Sequence, residues 1–153
     1  MRQSFVKSYL RKRKALAADP KICSGCQVCQ VVCSMTHGRS VDLERSRIYL
    51  RSNPFKGSFN PIICHQCTDF PCLKACPESA IQIDEKDGAV LILDEKCSGC
   101  RSCEKACPFK AIRFDHERNK AFKCDLCKGE PECVKWCPTR ALGITEYGGD
   151  LPL

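Results

Sequence analysis

Sixteen cysteines in a chain of 153 residues fall into four groups of four, and none lies outside a group. Group one holds Cys23, Cys26, Cys29 and Cys33; group two holds Cys64, Cys67, Cys72 and Cys76. Cys97, Cys100, Cys103 and Cys107 make group three, and Cys124, Cys127, Cys133 and Cys137 make group four. Groups one and three read C-x2-C-x2-C-x3-C. Two-residue gaps bring three thiolates round one face of a small object, and a fourth cysteine four residues on falls one helical turn away on the same face. Thiolate is the soft donor that holds iron–sulfur cubanes. Gly25 and Gly99 lie inside the first gap, where a missing Cβ lets backbone approach a cluster and permits positive φ. Groups two and four widen the second gap to four and five residues, with Pro71 or Pro131 shortly before the third cysteine.

Three other chemistries use cysteine pairs. A four-cysteine zinc site could be imagined from CDLCKGEPECVKWC alone, but tetrahedral zinc does not explain a third cysteine at x2 followed by a fourth, repeated along the chain. A disulfide framework needs an oxidising compartment and has no use for the close triple run. A thioredoxin-type dithiol needs one C-x-x-C, not sixteen cysteines. Iron–sulfur ligation remains, and in two-cluster bacterial ferredoxins the fourth cysteine of a motif binds the other cluster, so that two centres lie side by side. Centres enclosed and spaced in this way pass single electrons without rearranging their ligands.

With 7 Phe, 3 Tyr and 1 Trp, the chain is poor in large apolar residues, and bound metal is expected to supplement the core. The formal charge of +7 counts every cysteine as neutral. Each oxidised four-iron centre carries about −2, so four would bring the sum to roughly −1 and turn the basic excess into internal counter-charge. Nucleic acid is not expected as a partner, since no module combines basic and aromatic residues for it. Charges at Lys7 and at residues 11–14 interrupt any export signal, and no run spans a bilayer, so the expected compartment is the cytoplasm. No catalytic triad, phosphate loop or isolated carboxylate pair stands out.

The elements that position the cysteines are short. Ile81 and Ile83, then Val90 and Ile92, alternate around Asp87-Gly88 and predict a hairpin between groups two and three. Ile112 and Phe114, with a turn at 117–119, repeat the pattern after group three, and ALGIT gives a strand after group four. Group one lacks the proline that follows the other fourth cysteines. It leads instead into an insert, residues 34–63, read as covering loops with strand-like SRIYLR and turn-like NPFKG. Residues 3–18 fit a basic amphipathic helix through Phe5/Tyr9 and Val6/Leu10, closed by Asp19-Pro20 and suited to docking or self-association. His65 reads as a polar neighbour of ligands, His37 and His116 as exposed loop residues, and Trp136 as packing over a cluster.

The order of the groups, the widened second and fourth motifs, and the stretches DPKICSGCQVCQVVCSMTHG and PIICHQCTDFPCLKACPESAI resemble one family over residues 20–145. It is the four-cluster ferredoxin-like electron-transfer subunits of molybdenum and tungsten oxidoreductases, the group of the iron–sulfur subunits of dimethyl sulfoxide reductase, formate dehydrogenase and formate hydrogenlyase. The compact size looks most like the small subunits that accompany tungsten aldehyde oxidoreductases in anaerobic metabolism. The resemblance implies an α+β, ferredoxin-like fold with two pseudo-symmetric two-cluster units in one domain, 20–153, behind an extension at 1–19. Residues 64–107 would form the inner unit, and 23–33 with 124–137 the outer.

The same resemblance implies four [4Fe-4S] clusters. Cys64, Cys67, Cys72 and Cys107 would hold one; Cys97, Cys100, Cys103 and Cys76 another; Cys23, Cys26, Cys29 and Cys137 a third; and Cys124, Cys127, Cys133 and Cys33 the fourth. Spacing alone would equally let groups three and four pair. The implied function is a non-catalytic relay of single electrons from a Mo/W catalytic subunit to a further partner, NAD- or quinone-linked. A freely diffusing polyferredoxin and a structural zinc protein are the alternatives. The missing proline after Cys33 and the basic extension before Pro20 depart from the family pattern.

Overall fold

In a computed structural model of the chain, residues 13–53 and 55–147 are described. They fold into short helices and four separate two-stranded antiparallel ladders. Strand β1 (Arg13–Ala18) leads to helix α1 (Val28–Gly38), a 3-10 turn (Leu43–Arg45) and the hairpin β2 (Tyr49–Asn53) and β3 (Ser58–Ile62). Helix α2 (Pro71–Lys74) and the hairpin β4 (Ile81–Ile83) and β5 (Val90–Ile92) follow. Then come α3 (Ser102–Ala106), the hairpin β6 (Arg113–Asp115) and β7 (Lys120–Phe122), a second 3-10 turn (Leu126–Gly129), α4 (Glu132–Lys135) and β8 (Leu142–Tyr147).

The hairpins form where apolar alternation and turn residues placed them. Ile81 pairs with Ile92 and Ile83 with Val90, and Gly88 takes φ +70 at the turn. Ladder β6–β7 pairs Arg113 with Phe122 and Asp115 with Lys120, and all of ALGIT but Ala141 enters β8. SRIYLR enters β2, which pairs with β3 from Tyr49↔Ile62 to Asn53↔Ser58. This hairpin does act as a cover: Leu50 and Pro61 line a cleft with group-one cysteines, and the Phe59 ring lies against Gly25.

The N-terminal helix reading is corrected over the described part of the segment. Arg13–Ala18 is a strand, antiparallel to β8 from Arg13↔Tyr147 to Ala18↔Leu142. RKALAA has helical propensity, but β8 offers an edge of unpaired backbone groups, and pairing with it buries Ala15 and Leu16. Phe5, Val6, Tyr9 and Leu10 lie outside the described residues.

The missing proline after Cys33 also has a physical consequence. Helices α2, α3 and α4 stop within four or five residues at Cys-Pro, whereas α1 runs for 11 residues through Gly38, because nothing removes its backbone donors. Pairwise, α1 packs on α4 and α2 on α3. The core is thin, as composition implied. Leu16, Ile48, Ile63, Ile81, Val90, Ile112, Leu126 and Leu142 are its larger aliphatic members, interleaved with buried cysteines. Among the described residues, no helix is long and apolar enough to cross a membrane.

Candidate metal centres

Each motif is shaped by a repeated piece of backbone. The residue two before the third cysteine is left-handed in groups one to three, at Gln27, Phe70 and Arg101, and there the chain turns into its helix. After each Cys-Pro a second left-handed residue follows, at Ser79, Lys110 and Arg140, and then a buried alanine, Ala80, Ala111 or Ala141. That turn aims amide donors at sulfur: Ala80 N–H donates to Cys76 Sγ and Ala111 N–H to Cys107 Sγ, both at 3.4 Å. Arg47 N–H reaches Cys33 Sγ at 3.3 Å, and Leu126 N–H reaches Cys124 Sγ at 3.4 Å. Such bonds favour a thiolate and tune a bound cluster.

The cysteines gather across motifs. Cys23, Cys26, Cys29 and Cys137 line one cleft of about 300 Å³, and Cys64, Cys67, Cys72 and Cys107 line another of about 360 Å³. Burial pushes the Cys29 thiol up to about 11, with added like charge from Cys26, Cys23 and Cys137. Burial also lifts Cys67 to about 11, where Cys64 and Cys107 are among the like charges. Cys103 is raised to about 11 by burial, then by Cys97, Cys72 and Cys76. Cys133 is raised further by burial, and Cys124, Cys33, Cys127 and Cys29 crowd it. Cys33 behaves differently: burial raises it, but hydrogen bonds from His37 and the Arg47 amide outweigh burial, and its pKa falls. Cys26 and Cys100 are the exposed cysteines.

Several side chains were missed or misread. His37 is no loop residue; the extended α1 carries it half-buried over group four. There its Nε2 pairs with Asp125 at 3.1 Å and its Nδ1 lies 2.9 Å from the Cys33 carbonyl. Arg47 holds the other Asp125 oxygen at 2.6 Å. Bonding to Asp125 pushes His37 up to about 12, and Asp125 is held well below the usual carboxylate range. His116 is exposed, as read. His65 stacks on Phe109 with ring centroids 3.9 Å apart, and burial lowers its pKa. Trp136, expected to pack over a cluster, is 62% exposed. The buried polar residues Arg13, Gln66 and Lys123 had no signal at all, since one basic or amide residue in a basic chain looks like any other.

The glycines in the first gaps carry a testable demand. Gly99 has φ +79, and a Cβ there would lie 2.5 Å from the Asn119 carbonyl oxygen; Gly25 has φ +72, and its Cβ would meet the Phe59 ring first, at 2.5 Å. A ring can swing and a backbone carbonyl cannot. Gly99→Ala is therefore expected to cost on the order of 3 kcal/mol in denaturant unfolding, from left-handed strain plus the clash, and Gly25→Ala measurably less.

The donor set suits iron–sulfur clusters: all sixteen cysteines are free, two clefts each gather four of them from two motifs, and backbone amides point at several of the sulfurs. Soft thiolates in such numbers, in apolar clefts, are what a cubane takes.

Residues 55–147 match the family described as the 4Fe-4S dicluster domain, and the chain belongs to that family. It is 41% identical over 128 residues to the aliphatic sulfonate oxidoreductase polyferredoxin-like subunit of Pyrococcus furiosus, a match covering 84% of this chain and 73% of that protein. It is 33% identical to the electron transport protein HydN of Escherichia coli strain K12, over 83% of this chain and 85% of HydN. Among solved structures it is similar to a chain of the active site complex BamBC of benzoyl coenzyme A reductase, with a TM-score of 0.54 and 27% identity. That match covers 91% of this chain and 79% of the other.

Proposed function

We propose that the chain is an electron-transfer subunit of an oxidoreductase complex, holding four [4Fe-4S] clusters in two pseudo-symmetric pairs and doing no substrate chemistry itself. Each cluster, when bound, takes up and gives back one electron. The ligand sets are Cys23, Cys26, Cys29 with Cys137; Cys124, Cys127, Cys133 with Cys33; Cys64, Cys67, Cys72 with Cys107; and Cys97, Cys100, Cys103 with Cys76. The observation that carries this reading is that Cys137 shares a cleft with Cys23, Cys26 and Cys29, and Cys107 shares one with Cys64, Cys67 and Cys72.

The neighbour relations between sets support one order along the molecule. Cys29 lies near Cys133, Cys124 near Cys64, and Cys72 near Cys103. The sets of Cys26 and Cys100 are thus the two ends of a row, and these are the two exposed cysteines. A row with both ends at the surface suits a relay between two partners. On resemblance, the donor is a molybdenum or tungsten catalytic subunit, with a tungsten aldehyde oxidoreductase the finer proposal, and the acceptor a further NAD- or quinone-linked redox subunit. The proposed compartment is the cytoplasm.

Anaerobic isolation from the native source tests it. About sixteen iron and sixteen acid-labile sulfide per chain are expected, with a molybdenum- or tungsten-containing protein in the same complex. About eight irons would end the four-cluster reading. A fully loaded chain eluting alone would make it a free carrier.

A further inference from the structure

At the middle of the proposed row lies a buried polar junction that ligation alone does not require. Lys123 is 3% exposed and Gln66 1%. The Lys123 ammonium donates to the carbonyl of Cys124 at 2.9 Å and to that of Val90. Gln66 Nε2 donates to the same Cys124 carbonyl at 3.1 Å, and its Oε1 accepts from Val90 N–H at 2.8 Å. Among the described residues, no carboxylate forms an ion pair with Lys123, whereas Arg45, Arg101, Arg118 and Lys135 each pair with one at the surface.

A cation shut away from water is strongly penalised unless an opposite charge repays the loss of solvation, and two carbonyl dipoles repay only part of it. The cysteines beside it belong to two different sets. Lys123 lines the cleft of Cys64, Cys67, Cys72 and Cys107, and it directly precedes Cys124, to whose carbonyl it donates. The lysine therefore stands between the two interior gatherings. Resting on the four-cluster reading, we propose that Lys123 is a fixed counter-charge shared by the clusters of Cys64, Cys67, Cys72, Cys107 and of Cys33, Cys124, Cys127, Cys133, and raises the reduction potential of both.

The physical step is simple. Each reduction adds one electron to a cluster and changes nothing at Lys123, whose positive charge favours the more negative state. In a buried junction that attraction is poorly screened. Lys120 shows a contrasting arrangement: it donates to the Cys97 carbonyl at one end of the row and so bears on a single set. Lys123 is a positioning residue that acts through charge, and Gln66 holds its carbonyl partner in place.

The test compares Lys123→Met, Lys123→Gln and Lys123→Arg in the full chain, loaded anaerobically, by iron analysis and EPR-monitored redox titration. In the neutral variants, two of the four midpoint potentials are expected to fall by at least a tenfold change in the reduction equilibrium, about 59 mV for a one-electron couple, while the other two stay put. Lys123→Arg keeps all four near their original values. Four loaded clusters with unchanged potentials in either neutral variant would overturn the proposal. If the neutral variants fail to load the interior pair and Lys123→Arg loads it, the charge requirement stands. If all three variants lose clusters alike, the lysine serves packing and the proposal falls. A parent chain holding about eight irons would instead overturn the four-cluster reading on which this rests.

Discussion

Cys124→Ala is expected to remove about a quarter of the iron, leaving about twelve atoms per chain, and to stop electrons passing between the two ends of the protein. The effect should exceed that of any ligand substitution at the ends, for two reasons. Cys124 is buried, its sulfur accepts from Leu126 N–H, and burial with Cys64 nearby lifts its thiol to about 12, so the methyl left behind faces a site that cannot fill with water. In the proposed order its set also stands between the set of Cys29 and that of Cys64, so its loss would leave a gap that nothing bridges. Cys100→Ala supplies the control. It also costs one cluster, but an exposed one at an end, and three clusters should remain in electronic contact. Stopped-flow reduction of anaerobic protein, followed at two optical wavelengths and by freeze-quench EPR, checks this. Complete reduction of the remaining clusters from one donor in Cys124→Ala, at the parent rate, would show that the row is not a single path.

Much of this architecture is legible in the residues because metal ligation demands so many of one type at fixed gaps. The three linking strands and hairpins could be read from alternation alone, since Ile81, Ile83, Val90 and Ile92 have one face to bury and Gly88 one turn to make. Spacing could not say which motif reaches across to which. That depends on α1 landing on α4 and α2 on α3, and α2, α3 and α4 are only four or five residues long, too short to carry an apolar pattern.

Other features are invisible for a different reason. The left-handed residues Ser79, Lys110 and Arg140 are ordinary side chains in a backbone state usually marked by glycine or asparagine, held there because the following amide bonds a sulfur or the alanine must be small. His37 was misplaced because the absence of one proline, after Cys33, changes the length of a helix rather than a motif. Local propensity favours helix in RKALAA, as across residues 3–18, while the partner that overrides it, β8, lies about 130 residues away.

That override changes which experiment can assign the N-terminal segment a role in assembly. Deleting residues 1–18 would remove β1 along with everything before it, so loss of a complex would report unfolding as readily as loss of a docking surface. Arg13 makes the point sharply. It is 1% exposed, and its guanidinium donates to the carbonyls of Gly88 at 3.1 Å, Cys67 at 3.2 Å and Gln66 at 2.7 Å, with the Phe70 ring 4.7 Å from its carbon. One side chain thus ties the N-terminal strand to the loop that carries Cys67 and to the β4–β5 turn. Arg13→Met keeps most of the volume and leaves two buried carbonyls and one partly buried carbonyl short of a charged donor, at a cost on the order of 3–5 kcal/mol. For a chain of this size that is a melting point lower by about 10 °C. Differential scanning calorimetry under anaerobic conditions measures it, and iron should be lost first from the set of Cys67. Deletion of residues 1–12 alone leaves Arg13 and β1 in place. It is expected to keep both the parent melting point and the full iron content, so any change in complex size that it causes belongs to docking. A melting point unmoved in Arg13→Met would show that the strand is held by its ladder with β8 alone.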